Sequence, residues 1–204
     1  LPFGSCLNNT NPVDFHRGYG LWGGINRFDP PAALKRQRDC RLGFLIGHGE
    51  VLSRDENQVS LSHHTDAWGV PIPHIDCHWG DNERAMVRHM QATMQAAITA
   101  AGGEQRPLQD LIHMPLVEPL VTSSAATSDQ APPPGYYIHE VGGAAMGDNE
   151  SISVVDRFNR LWRCNNVLVV DGACWPTSSW QSPTLTMMAI TRRACQEAVR
   201  TGNG

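Results

Sequence analysis

One apolar strand limits what this chain can fold into. Val167, Leu168, Val169 and Val170 run together and stop at Asp171-Gly172. A strand apolar on both faces belongs in a mostly parallel sheet covered on both sides. The chain order is β structure, one long helix, a long loop, then this strand and a last helix, so the strand has no evident companion. It is expected at the edge of a parallel sheet made by other chain material. Ten residues beyond Gly172, Ser182-Pro183-Thr184 opens the last helix, which runs to about Arg200. Serine at the N-cap and proline at the first helical position suit that start. The unpaired N–H groups and positive dipole end would face an anion or an electron-rich ring. Asp171-Gly172 makes a tight turn that can approach a bound cofactor, although an ordinary strand–loop–helix connection has the same pattern.

The remaining chain divides into three parts. Residues 1–43 are rich in Gly, Pro, Asn and aromatics, and read as an irregular segment wrapping over something else. Residues 44–135 hold short strands at Val51-Leu52 and Val59–Leu61 with a turn at Asp55–Asn57, then an alternating stretch from Ile72 to Trp79. Asp81 is expected to cap a helix to about Ala101, ended by Gly102-Gly103. Met86, Met90, Met94 and Ile98 recur every four residues along it, the spacing of core packing or of a binding surface. Ser123 to Pro134 reads as a flexible loop. Residues 136–204 hold the histidine loop, the apolar strand and the final helix.

With 41% hydrophobic and 18% charged residues the chain is globular rather than disordered. The net charge of −4 argues against a general nucleic-acid or membrane-surface binder. No apolar run reaches the roughly 18 residues that span a bilayer. The Leu1-Pro2-Phe3-Gly4 start is no signal peptide, and without an initiator Met it suggests a processed fragment or mature subunit. Cys6, Cys40, Cys77, Cys164, Cys174 and Cys195 show neither paired nor zinc spacing. Free, mostly buried thiols and a reducing, cytoplasmic setting are expected. The sequons Asn8-Asn9-Thr10 and Asn149-Glu150-Ser151 are then chance matches.

Three patterns could carry chemistry. Gly18-Tyr19-Gly20-Leu21-Trp22-Gly23 has the spacing of a dinucleotide fingerprint, but lacks the preceding apolar strand and following helix, so it reads as a glycine- and aromatic-rich loop. His74, Asp76 and His78 share one face of an alternating stretch, with His63-His64 near in sequence. That face can line a substrate cavity or contact another subunit; a metal site needs further converging ligands, and none is assigned. His139 enters a glycine-rich loop, Glu140-Val141-Gly142-Gly143, where a positioned imidazole suits proton removal from an alcohol.

At these residues the chain resembles the glucose–methanol–choline (GMC) oxidoreductases. The resemblance rests on His139-Glu140-Val141-Gly142 with Met146-Gly147, Val154-Val155-Asp156, Val169-Val170-Asp171-Gly172-Ala173, Pro176-Thr177 and Pro183-Thr184-Leu185-Thr186. Asp66 to Pro71 and Asp81-Asn82-Glu83 extend it to roughly residues 44–200. It implies an α+β fold: an antiparallel substrate-domain sheet with packed helices, plus a C-terminal strand and helix completing an α/β flavin domain supplied by a companion chain. It implies FAD as cofactor, His139 as the base as hydride moves from an alcohol carbon to flavin N5, and Asp171, Gly172, Ser182, Pro183 and Thr184 beside the flavin. Three positions depart from the family pattern: Ser182 replaces a His or Asn, Gly143 a Thr, and Ala145 an Arg. Serine can donate a hydrogen bond but is no base at neutral pH. The implied function is the C-terminal subunit of a two-chain alcohol oxidoreductase acting on a sugar, glycoside or hydroxylated natural product. The alternative is a non-catalytic structural subunit of such a complex.

Overall fold

The computed structural model describes residues 2–5, 13–25, 35, 41–106, 108–111, 133–135 and 137–202. Contacts group the chain into two compact units, Leu1–Glu50 with Trp79–Tyr136, and Val51–His78 with Tyr137–Gly204.

The first unit is a three-stranded antiparallel sheet with a helix on it. Strands β1 (Pro2–Ser5), β2 (Tyr19–Ile25) and β3 (Gly43–Gly49) lie in that order. The pairing sets Tyr19 opposite Gly49 and Leu21 opposite Gly47. Side chains alternate between sheet faces, so these four positions share the face that meets helix α1 (Asp81–Ala100). Phe15, Tyr19, Leu21, Met86 and Met90 form the core between them. A Cβ at Gly47 would overlap the Met90 thioether, so the glycines bring the helix close. The Tyr19 hydroxyl lies 2.8 Å from His89 Nδ1 and 2.9 Å from Thr93 Oγ1, satisfying the one polar atom this ring carries into the core.

Two expectations are corrected here. Gly18–Gly23 does not form a loop, because Tyr19–Ile25 is β2, and residues 1–43 are not irregular throughout, because they supply β1 and β2. Glycine ordinarily marks turns; in this sheet β3's glycines make room for methionines. Helix α1 has its expected extent, but Gly80 occupies the N-cap, and the Glu83 carboxylate accepts the Gly80 N–H at 2.8 Å. Gly102, at φ +75°, follows the helix end. The methionine stripe is core packing over its first half, where Met86 and Met90 are buried; Ala97 and Ala101 are exposed. A short helix, α2 (Leu108–Leu111), follows. Residues 123–132 of the expected flexible loop lie outside the described residues.

In the second unit β4 (Gln58–Thr65) and β5 (Pro71–Asp76) make an antiparallel hairpin. Val51-Leu52 is not a strand; the chain does turn at 55–57, where the Asn57 N–H meets the Arg54 carbonyl at 3.1 Å, but the hairpin itself turns at 66–70. Asp66 makes this turn: its Oδ1 accepts the N–H groups of Trp68 at 2.9 Å and Val70 at 3.0 Å, while Gly69 takes φ +79°. Farther on, β6 (Arg160–Leu161) pairs antiparallel with β7 (Cys164–Leu168). The apolar run Val167–Val170 was expected to be a strand in a parallel sheet, but β7 takes in only Val167 and Leu168 of it. Only two residues, Trp162 and Arg163, join β6 to β7, and so short a connection permits antiparallel pairing alone. A 3₁₀ turn, Gly172–Cys174, and helix α3 (Thr184–Arg200) complete the unit. Antiparallel sheets with helices make the described chain α+β.

Candidate active site

The candidate site grows from the end of the apolar strand. Val169 donates its N–H to the Asn159 carbonyl at 2.9 Å, the last ladder-like bond before the chain turns. Asp171 then caps the 3₁₀ turn, its Oδ1 accepting the Ala173 N–H at 3.1 Å. Gly172 and Cys174 are buried within the turn while Asp171 is exposed. The Cys174 thiol donates to the Asp171 carbonyl at 3.1 Å. Burial pushes that thiol above its ordinary pKa, opposed by a hydrogen bond from Asn159. It is therefore a structural thiol rather than a nucleophile.

The histidine loop is fastened to this turn. Gly142, Ala144 and Met146 donate their N–H groups to the carbonyls of Gly172, Ala173 and Cys174 at 3.3, 2.8 and 2.8 Å. His139, three residues before the first of these bonds, is half-buried. Its φ of +89° lies in a region that non-glycine residues seldom occupy. Gly172 has no space for a side chain: a Cβ there would stand 2.9 Å from the Glu140 carbonyl oxygen, 3.0 Å from Met187 Cε and 3.4 Å from Val141 Cγ1. Histidine loop, turn and helix α3 thus converge on one glycine.

Helix α3 begins one residue later than expected. Pro183, buried, takes the N-cap place with φ −82° and ψ −14°, and its carbonyl accepts the Met187 N–H at 3.0 Å. Proline's ring already holds a helical φ, so the first helix bond forms from its own carbonyl and Ser182 is left outside the cap. Ser182 is exposed and makes no hydrogen bond with the described residues. Thr191 fixes the helix to the strand end, its Oγ1 lying 3.3 Å from the Val170 carbonyl. An open cleft of about 530 Å³ separates them, lined by Val170, Asp171, Thr184, Met187, Met188, Thr191 and Arg192. Asp171 and Thr184 therefore meet in one cleft, and Gly172 meets the histidine loop. Ser182, Pro183 and His139 do not line that cleft.

Elsewhere in the unit, Asp76 Oδ1 lies 2.7 Å from His78 Nε2, while His74 stands opposite Ser60 in the hairpin. Among the described residues no three His, Cys, Asp or Glu side chains gather as metal ligands. Sequence reasoning passed over Asn159, which is fully buried beneath the candidate site. Its signal was an Asp156-x-x-Asn159 turn: Asp156 Oδ1 accepts the N–H groups of Phe158 and Arg160, and Asn159 takes φ +70°, which asparagine tolerates.

Known proteins are similar to this chain in sequence. A family model described as GMC oxidoreductase matches residues 53–191. Paromamine 6'-oxidase of Streptomyces fradiae is 30% identical over 141 residues, which is 69% of this chain and 22% of that protein. The 2-methyl-1,2-propanediol dehydrogenase of Mycolicibacterium austroafricanum is 38% identical over 63 residues, 31% of this chain and 11% of that protein. The matches thus span under a quarter of either relative's length. The family match runs through the hairpin, the histidine loop, the Asp171-Gly172 turn and the start of α3, and on that ground the chain belongs to the GMC oxidoreductase family.

Proposed function

We propose that the chain is the C-terminal part of a two-chain, FAD-dependent alcohol oxidoreductase whose dinucleotide-binding part is carried by a companion chain. The observation that carries this reading is the ladder joining the His139 loop to the Gly172–Cys174 turn. The residues fit the cofactor. The first N–H groups of α3 have no partner within the helix, and its dipole favours negative charge at that end. Gly172, lacking a side chain, leaves the turn compact, and Asp171 and Thr184 border an open, mainly apolar cleft. FAD, when bound, supplies a hydride acceptor at flavin N5. His139 takes the hydroxyl proton from the alcohol, a task for which a neutral imidazole is suited. Ser182, Pro183 and Thr184 border the flavin ring, Ser182 as a donor only, so His139 acts as the lone base. Asp171 and Gly172 hold the cofactor at the strand end.

In this reading residues 44–135 serve the substrate side and 136–204 the flavin side. The substrate is a sugar, glycoside or hydroxylated natural product; the names of the two relatives, which specify paromamine and a diol, support that class. A reducing, cytoplasmic setting belongs to this reading; of the described cysteines Cys174 is buried and Cys77 intermediate, while Cys164 and Cys195 are exposed rather than buried as expected.

Ser182, Gly143 and Ala145 favour a second reading, a structural subunit that has lost catalysis. Purification with the companion chain, a visible spectrum and a His139→Ala variant separate the two. Loss of turnover by about a hundred-fold or more, with flavin retained, is expected from removal of a general base. Unchanged turnover would assign the structural role.

A further inference from the structure

Asn159 is 0% exposed, and every polar group it owns is engaged. Its N–H donates to the Asp156 carbonyl at 3.0 Å, and its own carbonyl accepts from Val169 N–H at 2.9 Å. The side-chain Nδ2 donates to the Val169 carbonyl at 2.8 Å, and Oδ1 accepts from Arg193 Nη2 at 3.3 Å. The buried Cys174 thiol stands near enough for this amide to oppose the upward shift that burial gives it. The same Arg193 nitrogen reaches the Arg157 carbonyl at 2.7 Å. This one residue therefore joins the strand end, the turn at 156–160 and helix α3, and the strand end leads directly into the 3₁₀ turn.

We propose that Asn159 is a positioning residue for the flavin site. It sets where the Asp171–Cys174 turn stands against α3, and through the bonds of Gly142, Ala144 and Met146 it sets the histidine loop. This rests on the flavoenzyme reading above. A hydrocarbon side chain could fill the space, but it would leave the Val169 carbonyl without its side-chain donor and take from Arg193 one of its acceptors. Aspartate could meet Arg193 but would set oxygen against the Val169 carbonyl. Only an amide of this length donates to one and accepts from the other while tolerating φ +70°. A fully satisfied buried network of this kind fixes one geometry rather than several.

The test uses the whole flavin-loaded protein with Asn159→Gly, which keeps the left-handed backbone, and Asn159→Asp, which keeps the shape. FAD is titrated into deflavinated protein, and the visible spectrum and reduction potential of the bound flavin are recorded. Gly47→Ala, which perturbs packing in the other unit, is the control for lost stability. The Asn159 variants are expected to bind FAD about ten-fold more weakly, the effect of one lost buried hydrogen bond, and to shift the potential; the control should do neither. Folded Asn159 variants that hold FAD within about two-fold of wild type, at an unchanged potential, overturn the proposal. Should neither variant fold, Arg193→Gln, which removes the donor to Asn159 Oδ1 along with those to Arg157 and Met146, is read by the same criteria. A wild-type protein that takes up no FAD removes the flavoenzyme reading and this inference together. Flavin binding that Asn159 does not affect removes this inference alone.

Discussion

Gly172 is the residue on which the candidate site converges, since a Cβ there would meet both the Glu140 carbonyl and Met187. Adding a methyl group there forces either the histidine loop or the helix to move. Gly172→Ala is expected to cost about 1–3 kcal/mol, the range for overpacking, as measured by urea denaturation. A second residue-level prediction concerns pH. Burial raises the Glu50 carboxyl above its ordinary pKa, with Arg17 at 3.8 Å opposing. The folded chain therefore holds this proton more tightly than the unfolded one. The resulting stability is complete below the ordinary carboxylate range and is lost as pH rises through the folded value. Glu50→Gln should gain in melting temperature on the wild type between about pH 4 and pH 7; a difference independent of pH would refute this. The turn at Asp171 and the helix start at Thr184 were legible in the sequence because local turn and cap chemistry decides them. Asn159 was not, because its partners Val169 and Arg193 lie ten and 34 residues away and no local pattern announces them.

Elements were legible where local periodicity decides the structure. Helix α1 shows a four-residue apolar repeat and a glycine stop, and α3 shows a proline start. Strand β2 was hidden because its glycines read as a loop, although Gly47 and Gly49 of its partner strand leave room for Met90 and Met86. The packing makes a direct prediction: Gly47→Ala should lower stability by about 1–3 kcal/mol, because the new methyl group meets the Met90 side chain. Chemical denaturation measures it, and a neutral result would mean that α1 can shift away from β3 without loss. The pairing of β7 illustrates the opposite limit. Its composition suggested a buried parallel strand, but the two-residue link to β6 fixes antiparallel pairing on one edge whatever the composition favours.

At the scale of the whole molecule, apolar side chains remain uncovered. Val59, Leu61 and Ile75 share one face of the β4–β5 hairpin at 63%, 73% and 70% exposure. If the proposed companion chain exists, this face is where we place it. Leu61→Lys is expected to change the chain's own stability by no more than about 0.5 kcal/mol, as exposed substitutions do. It should nonetheless reduce the fraction that elutes with the FAD-binding chain in gel filtration. Equal co-elution of variant and wild type would show that this face lies outside the assembly.

The alternation of the two units along the chain also sets a timetable. Strand β3 ends at Gly49, and Met90, whose side chain lies over Gly47, is encoded 41 residues later, beyond the entire β4–β5 hairpin. At about 5–20 residues per second, a ribosome takes roughly 2–8 s to deliver that methionine. Until then the first sheet leaves the exit tunnel with its glycine-lined face bare. Nascent-chain survival in the cell depends on what shields that face during those seconds.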